Sequence, residues 1–318
     1  MSNSSPYINH SEISQFVATK VNLKEPALSK VRNQANRVRS HINRYANEHP
    51  DVGFTKTILG GSLGKHTALK SINDIDIGLY IKATSVENSL QSVLAYIRDR
   101  LKDTYPNTPV KIDGPCVAIG FSGSDLKVEI MPILFKEDDK HGYGEIWDPY
   151  TLEKTYTSIP RHLEFIKNRR IKNTTKFAEI VRLVKHWKKV KNVDLRSFLV
   201  ELILSKLSDD GMDFDDYKET LKSFFLFVIE NDLSAPIFFT DYFKASDYSV
   251  GSSGNSIEIW DPVTPSNNVA KDCSMHLRDS VVEAAEDALD TLTYADNATT
   301  KGEAVQCWKD VLGNSFNA

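Results

Sequence analysis

The sequence predicts an α+β protein in two lobes: a mixed-sheet lobe over residues 1–158, and a helical lobe over residues 159–318. Three observations predict it. Between residues 56 and 135, apolar and polar residues alternate in short runs, the two-residue period of strands. Beyond about Ser158, apolar residues return every three to four positions, the period of amphipathic helices. A chain of 318 residues is long enough to favour two compact units over one.

The elements follow in order. Ser11 to His49 carries helix periodicity, broken at Glu25-Pro26 because proline has no N–H to donate inside a helix. Leu28, Val31, Ala35, Val38 and Ile42 mark the apolar stripe of its second part, the N-terminal spine helix, and His49-Pro50 ends it. A strand over Lys56–Leu59 runs into Gly60-Gly61-Ser62, followed by a loop or short helix. Asp74–Ile81 alternates as a strand, and Val86–Leu101 carries a helical stripe of Leu90, Val93, Leu94, Ile97 and Leu101. Val110–Phe121 and Leu126–Phe135 read as two strands joined at Ser122-Gly123-Ser124-Asp125. Helices are then expected over Arg161–Lys191, Arg196–Leu207, Tyr217–Ile229, His276–Leu292 and Glu303–Leu312, the last stopped by Gly313.

Composition excludes several classes. With 41% hydrophobic and 26% charged residues, the chain is neither disordered nor fibrous. A net charge of −4 excludes a uniformly basic nucleic-acid coat but is silent about local patches. Cys116, Cys273 and Cys307 are odd in number and lack metal-ligand spacing, which points to a reducing cytoplasm without a disulfide framework or zinc site. The polar N-terminus is not a signal peptide, and no run approaches the ~20 apolar residues of a membrane span. There is no G-x-x-x-x-G-K-[ST] run for a P-loop.

The acidic residues carry the chemistry. Two carboxylates two apart on a strand share one face, which places Asp74 beside Asp76. They would repel unless a cation lies between them or one is protonated, and a hard divalent ion prefers such oxygens. Glu129 alternates with Val128 and Ile130 on a later strand and adds a third acid. Together they suit two Mg²⁺ ions, or Mn²⁺. Upstream, Gly61 and Ser62 follow a strand, where backbone N–H groups and a hydroxyl can bind phosphate. Each motif alone reads more readily as a solvated strand face or an ordinary turn.

In combination they are more specific. The run from Gly61-Ser62 through Thr67-Ala68-Leu69 to Asp74-Ile75-Asp76 resembles the GS…GTAL…DID signature of polymerase-β-like nucleotidyltransferases. Val128–Pro132 looks like the third-acid strand, and Arg182–Trp187 like the helix after the catalytic sheet. Asp261–Ala270 resembles a loop shared with oligoadenylate synthetases. Over nearly its whole length the chain resembles the CD-NTase family, bacterial relatives of cyclic GMP-AMP synthases, and within it clade C of the CBASS anti-phage systems. Two residues depart from the pattern: Glu129 stands where the family usually has aspartate, and His66 where it has glycine.

The resemblance implies a polymerase-β-like sheet lobe, an oligoadenylate-synthetase-like helical lobe and a cyclic oligonucleotide synthase. Asp74, Asp76 and Glu129 would hold Mg²⁺ and perform catalysis. Gly61, Ser62, Lys185, Ser197, Asn267 and Asn268 would bind nucleotide, with Lys185 and Ser197 clamping the triphosphate. ATP, a cyclic tri-AMP-like product and a HORMA-domain partner follow from the clade. Arg161–Lys191 holds eleven Lys and Arg against Glu164 and Glu179 alone. It reads either as a solvated helix face or, through Arg169, Arg170, Lys172 and Lys176, as a groove for activating double-stranded DNA. Trp147, Tyr150 and Tyr156 read as lobe-junction aromatics, packed or stacked on a base. The rival readings are a linear oligoadenylate or tailing enzyme, and a non-catalytic nucleic-acid or HORMA-binding module.

Overall fold

A computed structural model of the chain describes residues 7–48, 53–82, 90–123, 125–136, 139–251, 254 and 257–318. The expected helix stop at His49-Pro50, the helix start at Val86 and Ser124 of the expected turn lie outside the described residues. Two compact units result, Leu23–Phe165 and the pair of segments Met1–Asn22 and Ile166–Ala318. This corrects the expected division at residue 158: the first 22 residues group with the helices, not with the sheet.

In the sheet unit, α2 (Ala27–Glu48) starts after the expected break at Glu25-Pro26. There follow β1 (Phe54–Leu59), the single turn α3 (Gly61–Gly64), β2 (Asp74–Lys82) and α4 (Leu90–Thr104). Then come β3 (Val110–Asp113), β4 (Cys116–Phe121), β5 (Leu126–Phe135), β6 (Gly144–Trp147) and β7 (Lys154–Thr157). The described strands form one mixed sheet in the order β1-β2-β5-β4-β3, with β6 on β5 and β7 on β6. Only β2 and β5 run parallel; the other pairings are antiparallel.

The alternation of β2 and β5 decides which face is buried. Ile75, Ile77, Leu79 and Ile81 join Val128 and Ile130 in a core covered by Val31, Ala35, Val38 and Ile42 of α2 and by Val93, Leu94, Ile97 and Leu101 of α4. Arg39 fixes α2 to β1, donating from Nε to Thr57 Oγ1 and from Nη2 to Thr57 O, both at 3.0 Å. The opposite face is divided along its length. Tyr80, Ile133 and Phe135 form a smaller apolar cluster with Ile159 at the start of α5 (Ile159–Lys172). The other end of that face carries the acids.

The helical unit holds α1 (His10–Phe16), a π-helical continuation over Val17–Val21, α6 (Lys176–Val190), α7 (Ser197–Asp209), α8 (Tyr217–Asn231), α9 (Met275–Asp296) and α10 (Lys301–Leu312). Trp187 of α6 is fully buried, 4.8 Å from the ring of Phe225. The N-terminal segment is tied in through His10, Phe16 and Asn22. His10 Nδ1 accepts from Tyr217 N, Phe16 packs on Phe316, and Asn22 donates to Glu179 while accepting from Arg182. The expected single helix Arg161–Lys191 is two helices, because Thr174 adopts a left-handed φ of +56°.

Candidate active site

In the parallel register of β2 and β5, Asp76 stands opposite Glu129 and Asp74 opposite Lys127. Neighbouring strands lie about 4.8 Å apart, so the two-residue alternation brings Asp74, Asp76, Lys127 and Glu129 onto one face. Asp74 is exposed, Asp76 half-buried and the Glu129 side chain 26% exposed. The three acids named by the sequence therefore meet, although they come from positions more than fifty residues apart.

Gly61 completes the acidic end. Gly60 N donates to Asp76 O at 2.8 Å, which folds α3 back over β2. Gly61 has φ +51°, and a Cβ there would stand 1.6 Å from Asp76 Oδ2. Only glycine lets the backbone of this turn lie against the carboxylate. Ser62 is half-buried on the same turn, and its carbonyl accepts from Thr67 N at 2.8 Å. His66, where the family has glycine, has φ +61°, a left-handed conformation that glycine adopts at least cost.

Sequence reasoning missed the cations and the acid beside the trio. Lys127 Nζ lies 2.5 Å from Glu129 Oε1 and 2.8 Å from Asp113 Oδ2, and Lys111 Nζ lies 3.3 Å from the same Asp113 oxygen. Asp113 is held below the usual carboxylate range by Lys127 first and Lys111 second. Lys127 is pushed up by Asp113 and then Glu129. Cys116 faces the same site on β4, and its thiol is pushed up by burial and by the negative charge of Glu129 and Asp76, which favours the neutral thiol. The available signal for Lys127 was its place two residues before Glu129, which fixes a shared face.

The donor set fits a hard divalent cation: three carboxylates on one face and no competing histidine among them. As the side chains stand, no three acidic, His or Cys groups among the described residues enclose an ion; Glu129 is drawn to Lys127, whose ammonium takes the place of a cation against it.

The other expected site residues divide. Ser197 is exposed at the first position of α7, and Asn267 is half-buried with its amide 3.3 Å from Asp261 Oδ2. Asn268 is 5% exposed and already engaged: its Oδ1 accepts from Ile259 N and Ala270 N, and its Nδ2 donates to Ile257 O. It organises its own loop. Lys185 is buried on α6 with Nζ 2.6 Å from Glu201 Oε1 on α7, so it is an internal ion-pair partner and not a solvent-facing clamp.

The basic segment is corrected in the same way. Arg169 is 4% exposed and bonds both Asp209 and Asp241, which removes it from any surface groove. Lys172 donates to Ser208 O, Lys176 pairs with Asp215, and Arg170 is half-buried. The aromatics also separate: Trp147 is partly buried against the sheet core, Tyr156 stacks on Tyr143, and Tyr150 is exposed.

Comparison with known proteins identifies the family. A family model described as the Second Messenger Oligonucleotide or Dinucleotide Synthetase domain matches residues 9–167. A cyclic AMP-AMP-AMP synthase of Escherichia coli (strain MS 115-1) is 38% identical, over 98% of this chain and 99% of the relative. The structure of E. coli MS115-1 CdnC with ATP superposes with a TM-score of 0.88 at 36% identity, covering 98% of this chain and 100% of that one. The complex of that CdnC with HORMA-deltaN gives a TM-score of 0.87, at 36% identity and 98% and 99% coverage. No described helix is long and apolar enough to cross a membrane. A nucleotidyltransferase fold, three acids on one face and a relative matching end to end lead to one assignment: the chain belongs to the CD-NTase family of second messenger oligonucleotide or dinucleotide synthetases.

Proposed function

We propose that the chain is a cytoplasmic cyclic oligonucleotide synthase of CBASS anti-phage defence, joining ATP into a cyclic tri-AMP-like ring with release of pyrophosphate. The observation that carries this is the register of Asp76 against Glu129 with Gly61 closing over Asp76. Two Mg²⁺ ions, or Mn²⁺, bound by Asp74, Asp76 and Glu129 would supply charge neutralisation for the triphosphate and the leaving pyrophosphate.

The chain's own residues do the rest. Gly61 and Ser62 present backbone N–H groups and a hydroxyl to phosphate oxygens. Glu129 accepts the proton of the attacking ribose hydroxyl. That hydroxyl oxygen bonds the α-phosphorus of a second ATP as the bond to pyrophosphate breaks. Repetition lengthens the chain, and a final intramolecular transfer closes it. Ser197 and Asn267 remain candidates for nucleotide contact. Lys185 and Asn268 do not, since each is buried and committed inside the protein.

A HORMA-domain protein is the proposed partner, because the end-to-end similar CdnC has a HORMA complex. The test is incubation with all four NTPs and Mg²⁺, with and without a HORMA partner and duplex DNA, followed by mass analysis and exonuclease digestion. A nuclease-resistant cyclic trimer of AMP is expected, abolished in Asp74→Ala and Asp76→Ala. A linear product would make the enzyme a linear or tailing transferase. No pyrophosphate under any combination would leave a binding module. Stimulation by duplex DNA would assign the nucleic-acid role to cations other than Arg169.

A further inference from the structure

Lys127 makes one bridge between two kinds of acid. Its Nζ touches Glu129, a member of the trio, and Asp113, which is not. It stands opposite Asp74 across β2 and two residues before Glu129 on β5. Ala118 and Gly120 face Glu129 and Lys127 from β4 and carry at most a methyl group, so nothing bulky separates Lys127 from the β3 side. The Lys127, Glu129 and Asp113 side chains are 38%, 26% and 33% exposed, so water can reach each during an exchange of partners.

The geometry of a strand explains why the third acid is glutamate. Residues two apart on a strand are separated by about 7 Å, and the extra methylene lets the carboxylate of Glu129 lean back to Lys127. The charges explain why the contact can be given up. At equal distance a divalent ion attracts a carboxylate twice as strongly as an ammonium does. When Glu129 turns to such an ion, Lys127 keeps a partner in Asp113, and no charge is left unpaired.

We propose that Lys127 is a positioning residue for the third acid: its ammonium holds Glu129 on the sheet face before a divalent cation binds, and it passes to Asp113 when the cation takes the carboxylate. This rests on the reading of Asp74, Asp76 and Glu129 as metal ligands. The strength of cation binding then depends on Asp113, a residue outside the trio.

The test is titration of Mn²⁺ into the full chain without nucleotide, with free Mn²⁺ read by electron paramagnetic resonance. Lys127→Met removes the competing charge and is expected to tighten binding by roughly 3- to 10-fold; Asp113→Asn leaves Lys127 with Glu129 alone and is expected to weaken it by about the same factor. Lys127→Arg should stay near wild type. A purely structural role would move Lys127→Met and Asp113→Asn in the same direction. If both bind Mn²⁺ as wild type does, or both more weakly, while Asp74→Ala abolishes uptake, the exchange is wrong and the metal reading stands. If wild type takes up no Mn²⁺, or Asp74→Ala binds it equally well, both readings fall.

Discussion

At Gly61 the backbone is left-handed and a Cβ would stand 1.6 Å from Asp76 Oδ2. Gly61→Ala is therefore expected to move the carboxylate, the turn or both, and a displacement of about 1 Å at a reacting centre costs on the order of 100-fold in rate. Product formation should fall by that factor while circular dichroism reports an intact fold, since α3 is a single four-residue turn. The glycine was legible in the sequence as part of a turn after a strand; its contact with Asp76 was not, because that depends on a hydrogen bond between Gly60 and the next strand. Lys185 shows the opposite limit. Its family motif named it as a cation for triphosphate, but its Nζ is buried 2.6 Å from Glu201. Removing one partner of a buried pair leaves the other uncompensated and costs about 3–5 kcal/mol, whereas replacing both by apolar residues is often near neutral. Urea unfolding of Lys185→Met should show that loss, and Lys185→Met with Glu201→Met should recover most of it. Equal stability of the single variant and wild type would instead put Lys185 outside the pair in solution.

At the scale of elements, long periodic segments were readable and short or interrupted ones were not. The strands carrying the acids alternate cleanly, so Asp74–Lys82 and Leu126–Phe135 follow the expectation closely. Val110–Phe121, expected as one strand, is two, with the turn at Gly114 at φ +57°; the Asp113-Gly114 pair is itself a hairpin signal. The four-residue strands β6 and β7 are too short to show a period. The contact of α6 with α10 carries a pH dependence. His186 Nε2 is 2.9 Å from Leu312 O, and burial holds its imidazole below the usual histidine range. As pH falls through about 6.5, the unfolded chain gains a proton that the folded chain refuses until lower pH, so stability falls over that window and is fully present above it. Gln at 186 can still donate to Leu312 O but does not titrate. Melting temperatures from pH 7 to 5 should therefore decline less steeply for His186→Gln than for wild type; parallel declines would remove His186 from the account.

Across the whole molecule, two units were legible from length and from the change of period, but their boundary was not. A net charge of −4 concealed a basic segment, and the structure shows that Arg169, Arg182 and Lys185 within it are turned to internal partners while Lys176 pairs with Asp215 at the surface. The boundary was hidden for a related reason: partners of the N-terminal helical segment lie far along the chain, with His10 at Tyr217, Phe16 at Phe316 and Asn22 at Glu179. No local pattern announces contacts of that separation. The consequence can be tested by cutting the chain in two ways. A fragment spanning residues 1–158 carries Ile13, Phe16, Val17 and Val21, buried in the full chain, without the helices that cover them. Each such side chain forfeits about 1.5–3 kcal/mol when returned to water. It also lacks Ile159, which completes the cluster of Tyr80, Ile133 and Phe135. A fragment spanning residues 23–165 omits the N-terminal apolar residues and keeps both sheet-face clusters. It should unfold in a single cooperative transition and bind little hydrophobic dye, whereas 1–158 should bind dye strongly and aggregate as its concentration rises. The reverse ranking would mean that the N-terminal helix finds its apolar partners on the sheet.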